Sequence, residues 1–210
     1  TLASDSLEGR GAGTPGGHKA AMYVAEQFRL IGLEPLNVTT SDNSGSDSSY
    51  LVGFGKVRGG DVYNVVGMIR GSDPELRYEA IVIGAHFDHP GIKKKDSANP
   101  VIYNGADDNA SGTATLIEVA RMMKEREGEL KRTVVFAAFD AEELGLHGSK
   151  AFVKTMLDSE GFPEPALMVS MDMVGWLEAG GNLRIKGVAM LKNGRKIMES
   201  LDTPEGLRIK

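Results

Sequence analysis

Three apolar runs in this chain each end in residues that can hold protons or metals. Ala80-Ile81-Val82-Ile83 leads through Gly84-Ala85 to His86-Phe87-Asp88. Thr133 to Phe139 leads to Asp140-Ala141-Glu142-Glu143, and Ala166 to Ser170 leads to Met171-Asp172-Met173. A fourth group, Gly105-Ala106-Asp107-Asp108-Asn109, opens the amphipathic stretch between the first two. A buried strand that runs into a histidine and a carboxylate builds a poor core. It is a good way to place polar groups at the carboxyl end of a sheet, where open α/β folds keep their sites. If the strands are parallel, their ends share one edge and these groups converge. Such a cluster of carboxylates repels itself strongly, and bound divalent cations relieve the repulsion.

Each group also has a plainer reading. A single histidine is more often a core or surface residue than a ligand. Asp107-Asp108-Asn109 serves equally well as a helix cap with acids favourable to the helix dipole. Glu142-Glu143 reads as an exposed helix start, and Asp172 as the turn after a strand. The plainer readings do not explain four such placements at successive strand ends on one edge, so the pattern points to a metal site.

The elements that must position these groups follow from periodicity and punctuation. Thr1 to Gly17 is a polar, glycine-rich entry. An apolar stripe of Ala21, Val24, Ala25 and Phe28 predicts a helix over His18 to Ile31, ended by Gly32. Leu36 to Thr40 reads as a short strand, and Ser41 to Ser49 as a polar loop with nothing to bury. Tyr50 to Val57 and Asp61 to Ile69 read as paired strands around Arg58-Gly59-Gly60. His89 to Gly105 reads as a long connection with a solvated lysine run at Lys93 to Lys95, and His18 as a solvated first-turn residue. Helices are predicted over Ala110 to Lys124, Lys150 to Leu157 and Leu191 to Leu201, and a further strand over Leu183 to Ile185. Thr133 to Phe139 is a continuous apolar run of the kind buried on both faces. Strands alternating with helices at these spacings imply an α/β fold, a mostly parallel central sheet with helices on both faces.

The totals exclude several classes. Apolar residues at 41% and charged residues at 25% are ordinary for a globular protein. A net charge of -5 with dispersed Lys and Arg gives no support to a nucleic-acid partner. The absence of cysteine removes disulfides, thiolate zinc sites and a cysteine nucleophile. No apolar run approaches the ~20 residues that a membrane span needs. The start at Thr1 is not signal-like, so any targeting sequence is expected upstream.

GAHFDHPG, YNGADDNASG, FAAFDAEELGLHGS and VSMDMVG resemble the motifs of the M28 family of zinc aminopeptidases. The opening LASDSLEGRGAGTPGG resembles the N-terminal segment of many members, and the resemblance runs from the start to about Trp176. It implies a phosphorylase/hydrolase-like fold and a co-catalytic pair of zinc ions acting on peptides with a free N-terminus. It further implies that His86 and Asp172 bind one zinc, that Asp108 bridges both, and that Glu143 binds the second. Glu142 would be the general base, and Asp88 would sit behind His86, orienting the ring and raising its basicity. A strained, often cis, peptide after the bridging residue is implied as well, and so is an exported protein, extracellular or periplasmic.

One departure stands out. The family's fifth ligand is a histidine well downstream of the position of Asp172, whereas the histidines here are His18, His86, His89 and His147. The expectation is a single peptidase domain over residues 1–210, incomplete at its C-terminus, with the second zinc lacking its histidine. The alternatives are His89 as a substitute, although it precedes the wrong strand, a histidine from a second chain, or a protein that holds one metal or none. His147 reads as structural or surface. The competing functions are a single-zinc, glutaminyl cyclase-like enzyme, another zinc amidohydrolase or carboxypeptidase, and an inactive peptidase-like binding domain. Oligomeric state is left open.

Overall fold

The computed structural model describes residues 1–36, 48–94, 100–159, 161–177 and 181–209. The strand expected over Leu36 to Thr40 and the polar loop over Ser41 to Ser49 lie mostly outside the described residues, as does Lys95 of the lysine run. Residues Thr1–Met173 form one compact unit and Val174–Lys210 another.

Helix α1 (Pro15–Ile31) begins earlier than its apolar stripe suggests. The Thr14 side chain accepts a hydrogen bond from the Gly17 N–H, and Pro15 occupies the first helical turn, where a missing N–H costs nothing. Gly32 ends the helix in the left-handed conformation, φ 80°. Strands β1 (Glu34–Pro35), β2 (Leu51–Val57), β3 (Gly60–Ile69) and β4 (Glu79–His86) follow. The connection after β4 is not a bare loop, because β5 (Gly91–Lys94) and β6 (Pro100–Tyr103) pair antiparallel within it. After a single π-type turn at Ala106–Ser111, helix α2 (Gly112–Lys124) leads to β7 (Thr133–Phe139). Helix α3 (His147–Asp158) then leads to β8 (Glu164–Ser170).

The main sheet has the order β1-β3-β7-β4-β8, with β2 paired to β3. β4 runs parallel to both β7 and β8, while β3 joins β7 antiparallel. The parallel arrangement expected from the alternation of strands and helices thus holds for the three strands that end in the candidate residues. The antiparallel strands lie beyond β7.

Side chains of β7 alternate between two apolar cores, as a pleated strand covered on both faces requires. Val134, Phe136 and Ala138 pack with Val24 and Phe28 of α1 and with Leu116 and Ile117 of α2. Val135, Ala137 and Phe139 pack on the opposite face with Phe152 of α3. The helices that follow β4 and β7 therefore cover opposite faces. That reversal opens a crevice between the carboxyl ends of the two strands, the usual place for a site in an open α/β sheet.

The second unit contains β9 (Asn182–Leu183) paired parallel with β10 (Arg208–Ile209), and helix α4 (Gly194–Glu199). The strand there is displaced from the expected Leu183 to Ile185, and the helix is shorter than the expected Leu191 to Leu201. No helix among the described residues is long and apolar enough to cross a membrane.

Phe136 is fully buried, and its ring meets Phe28 edge-on at 6.5 Å. Phe136→Ala is expected to destabilise the fold by about 3–5 kcal/mol, read from urea unfolding. A loss under about 1 kcal/mol would mean that this face is not the tightly packed core described.

Candidate metal centre

Register decides which groups meet. In the parallel pairs His86 lies beside Phe139, and Gly84 beside Ser170. The ladder runs one step further on each side, with Phe87 N–H donating to Phe139 O at 2.9 Å and Met171 N–H donating to Gly84 O at 2.8 Å. Residues 86–89, 140–143 and 172 are thereby set at one level along the sheet edge.

Among the described residues two donor groups result, each with its ligand atoms within 4.8 Å of one another: His86, Asp108 and Asp172, and His89, Asp108 and Glu143. In the first, His86 Nε2 lies 3.4 Å from Asp108 Oδ1 and 3.4 Å from Asp172 Oδ1. In the second, His89 Nδ1 lies 2.9 Å from Glu143 Oε1 and 3.8 Å from Asp108 Oδ2. Donors about 2.0–2.1 Å from a tetrahedral zinc stand about 3.3 Å apart, so both groups have the span of a metal shell. Asp108 gives one carboxylate oxygen to each. The fit has a second support in His89 Nδ1, which is buried and, among the described residues, has no hydrogen-bond partner, although Glu143 Oε1 is 2.9 Å away. A buried nitrogen without a partner is costly, and a cation between it and the carboxylates would satisfy it.

The supporting contacts explain why these groups stay in place. Asp88 is fully buried, and its carboxylate accepts from the backbone N–H groups of Glu142 at 2.9 Å and Glu143 at 3.3 Å. Its Oδ1 is 3.7 Å from His86 Nδ1, whose closer partner is the Asp88 backbone carbonyl at 3.2 Å. Asp88 thus holds the Glu142–Glu143 turn as well as standing behind His86. The Thr113 hydroxyl donates to His86 O at 2.9 Å. The Asp108–Asn109 peptide is cis, in line with the family resemblance.

Asn109, which the sequence offers only as part of a helix cap, has a different role in the fold. It is fully buried, donates from Nδ2 to Met171 O at 2.9 Å, and accepts at Oδ1 from Gly112 N–H and Met173 N–H. These bonds clamp the segment that carries Asp172 to the turn that carries Asp108. Gly105, just before that turn, has φ 50°, and a Cβ there would collide with Asp108 O and the His89 ring. The sequence signal for Asn109 was its place after the acidic pair, but nothing local shows that its amide reaches 62 positions along the chain. His89 is the substitute ligand weighed from the sequence, although it precedes the wrong strand for the second group. The parallel register of β4 and β7 instead carries it to Glu143. His147 and His18 are both exposed, as expected.

Burial by itself would lower the His86 pKa, but the carboxylates of Asp88, Glu142 and Asp172 outweigh it and raise the value to about 9. Partial burial raises Glu142 above the usual carboxylate range. His86 opposes that shift, while Asp88, Glu143 and Asp172 add to it. Burial also lifts Asp140 to about 7, aided by Asp88 and resisted by hydrogen bonds from the Ala141 and Tyr63 backbone. Without a metal the site is therefore a crowd of carboxylates sharing a protonated histidine.

This geometry can be set beside known proteins. The model of peptidase family M28 matches residues 64–200. The chain belongs to peptidase family M28. A glutamate carboxypeptidase 2 homolog of Caenorhabditis briggsae is 43% identical over 101 residues, which cover 46% of this chain and 11% of that protein. Leucine aminopeptidase 1 of Uncinocarpus reesii is 35% identical over 120 residues, covering 53% of this chain and 27% of the relative. The crystal structure of LapB from Legionella pneumophila superposes with a TM-score of 0.63 at 27% identity, covering 94% of this chain and 47% of LapB. This M28 chain thus spans less than half the length of each of these relatives.

Because His86 is protonated up to about pH 9 in the metal-free fold, a metal at its Nε2 must displace that proton. Zinc binding to this M28 chain at pH 7.5 is expected to release about one proton, and its apparent affinity to rise with pH until about 9. The same raised pKa stabilises the metal-free fold fully below about pH 6.5, and that contribution is lost as pH rises through about 9. Calorimetry in buffers of different ionisation enthalpy measures the proton release, and a value near zero would contradict it.

Proposed function

We propose that this chain carries the catalytic centre of a zinc-dependent exopeptidase that releases amino acids from the N-terminus of peptides. The observation that carries the reading is the pair of donor groups sharing Asp108 at the mouth of the β4–β7 crevice, with a carboxylate unused by either. That carboxylate, Glu142, places Oε2 4.0 Å from His86 Nε2.

His86, Asp108 and Asp172 would hold one zinc, and Asp108 and Glu143 the other, with His89 at its side. Imidazole and carboxylate donors without thiolates are a set that zinc accepts in hydrolytic sites. Bound there, the metal pair would polarise a peptide carbonyl and lower the pKa of a water molecule. The rest falls to the chain's own side chains. Glu142 is partly buried and its backbone is fixed by Asp88, so its carboxylate is held toward the site rather than free in solvent. Its raised pKa suits a group that takes a proton from water and returns it to the leaving amine. Asp88 keeps that turn and the His86 ring in mutual register. A protonated His86 cannot serve as a ligand, so a metal there must displace a proton that the surrounding carboxylates hold firmly.

A second reading, release of a C-terminal residue, is favoured by the name of the nematode relative. Aminoacyl-arylamides and peptides with a blocked N-terminus separate the two. Turnover of the arylamides alone supports the aminopeptidase reading, and turnover of blocked peptides from their C-terminus replaces it.

Glu142→Gln is expected to retain zinc while kcat falls by about 10²–10⁴-fold. Zinc content by plasma mass spectrometry and initial rates on an aminoacyl-arylamide check both halves. An unchanged kcat would remove Glu142 from the proton path.

A further inference from the structure

The glycine-rich entry segment plays no part in the chemistry above, yet it contains a fully buried charge. Arg10 has no exposed surface. Its guanidinium donates to four backbone carbonyls: Nε to Phe87 at 2.7 Å, Nη1 to Leu2 at 2.6 Å and to Asn104 at 2.6 Å, and Nη2 to Gly105 at 2.9 Å. In return its own carbonyl accepts from the His89 N–H at 3.3 Å. Phe87 lies between His86 and Asp88, and Gly105 opens the turn that carries Asp108. One side chain therefore bonds both loops that deliver the shared metal group.

The backbone around Arg10 is held in a form that chains avoid. Glu8, Gly9 and Arg10 have φ of 53°, 66° and 53° in succession. Two of these are not glycine, and such conformations persist only where the surroundings dictate them. The surroundings here are the β5–β6 hairpin: a Cβ on Gly9 would press on the carbonyl oxygens of Tyr103 and Gly91. The entry segment is thus wedged against the hairpin that joins the two loops.

The choice of arginine is itself informative. Burying a cation is expensive unless every donor is satisfied, and carbonyls alone make a weak case for a permanent charge. The charges nearest to it in effect are the carboxylates of Asp88 and Asp108, which oppose the lowering of its pKa by burial. A planar fork with five N–H groups can reach four carbonyls in three segments at once, and an ammonium cannot.

We propose that Arg10 is a positioning residue of the metal centre, locking the His86–Asp88 loop and the Gly105–Asp108 turn at the spacing that two metals require. The proposal rests on the zinc reading only for its consequence; the locking itself is a property of the loops. Arg10→Lys keeps the charge and loses the fork. In the full-length protein, amide hydrogen exchange at residues 87–89 and 105–110 is expected to speed up at least tenfold, while the β7 core stays protected. Zinc Kd, from competition with a chromophoric chelator below the melting transition, is expected to weaken at least tenfold. KM should change little, and kcat should recover in part at saturating zinc, which a merely destabilised fold would not show. Protected loops, or a Kd within twofold of the wild type, would overturn the proposal. Should Arg10→Lys fail to fold, Arg10→Gly, which removes the fork and suits the positive φ of 53° at that position, must produce the same loop exchange and loss of affinity or the proposal falls. A wild type that binds no zinc would count against the zinc reading alone, and the exchange data would still decide on Arg10.

Discussion

Like charges brought together at one edge of a sheet are the constraint on which this structure turns. Asp88, Asp108, Glu142, Glu143 and Asp172 meet around two histidines because three parallel strands end at one level. Left alone they repel: the carboxylates around His86 raise its pKa, and at Glu142 and Asp140 neighbouring carboxylates add to an upward shift whose main cause is burial. No arrangement of these groups is comfortable without positive charge among them. The fold supplies some of that charge from a protonated histidine and from Arg10, and it leaves room for cations to supply the rest.

What prevents the cluster from spreading apart is a set of hydrogen-bond clamps onto backbone groups. Asp88 is bonded to the amides of residues 142 and 143, Asn109 to the backbone of 171 and 173, and Thr113 to the carbonyl of His86. Each clamp joins two sequence-distant loops at their backbones rather than at their reactive side chains. This leaves carboxylate oxygens and imidazole nitrogens facing one another with little else to bond. Donor groups pre-set in this way lose little freedom when they bind a metal, and His89 Nδ1 has no hydrogen-bond partner among the described residues. The two apolar cores on either side of β7 give these loops a rigid base.

The division of labour between the cores and the edge also shapes how far the family likeness can be carried. The match to peptidase family M28 covers the strands and helices that set the edge, and the motifs lie at their ends. The chain spans 47% of LapB.

The sequence by itself determined the type and order of the main elements, since apolar runs, a capped amphipathic helix and a terminating glycine are local properties. It also marked His86, Asp108, Glu142, Glu143 and Asp172, because polar residues directly after apolar runs, or at the start of an amphipathic stretch, are conspicuous. Only the tertiary structure decided which of them meet. The place of His89 beside Glu143 depends on the register of β4 against β7, and no spacing along the chain encodes it. The clamp made by Asn109 and the four carbonyls gathered by Arg10 are long-range bonds to backbone atoms, which leave no mark on the partner's residue type. Even Asp88, chosen for its place behind His86, spends its carboxylate chiefly on the Glu142–Glu143 turn. A backbone amide carries no side-chain signature, so a sequence names the donors of a site more readily than the contacts that hold them.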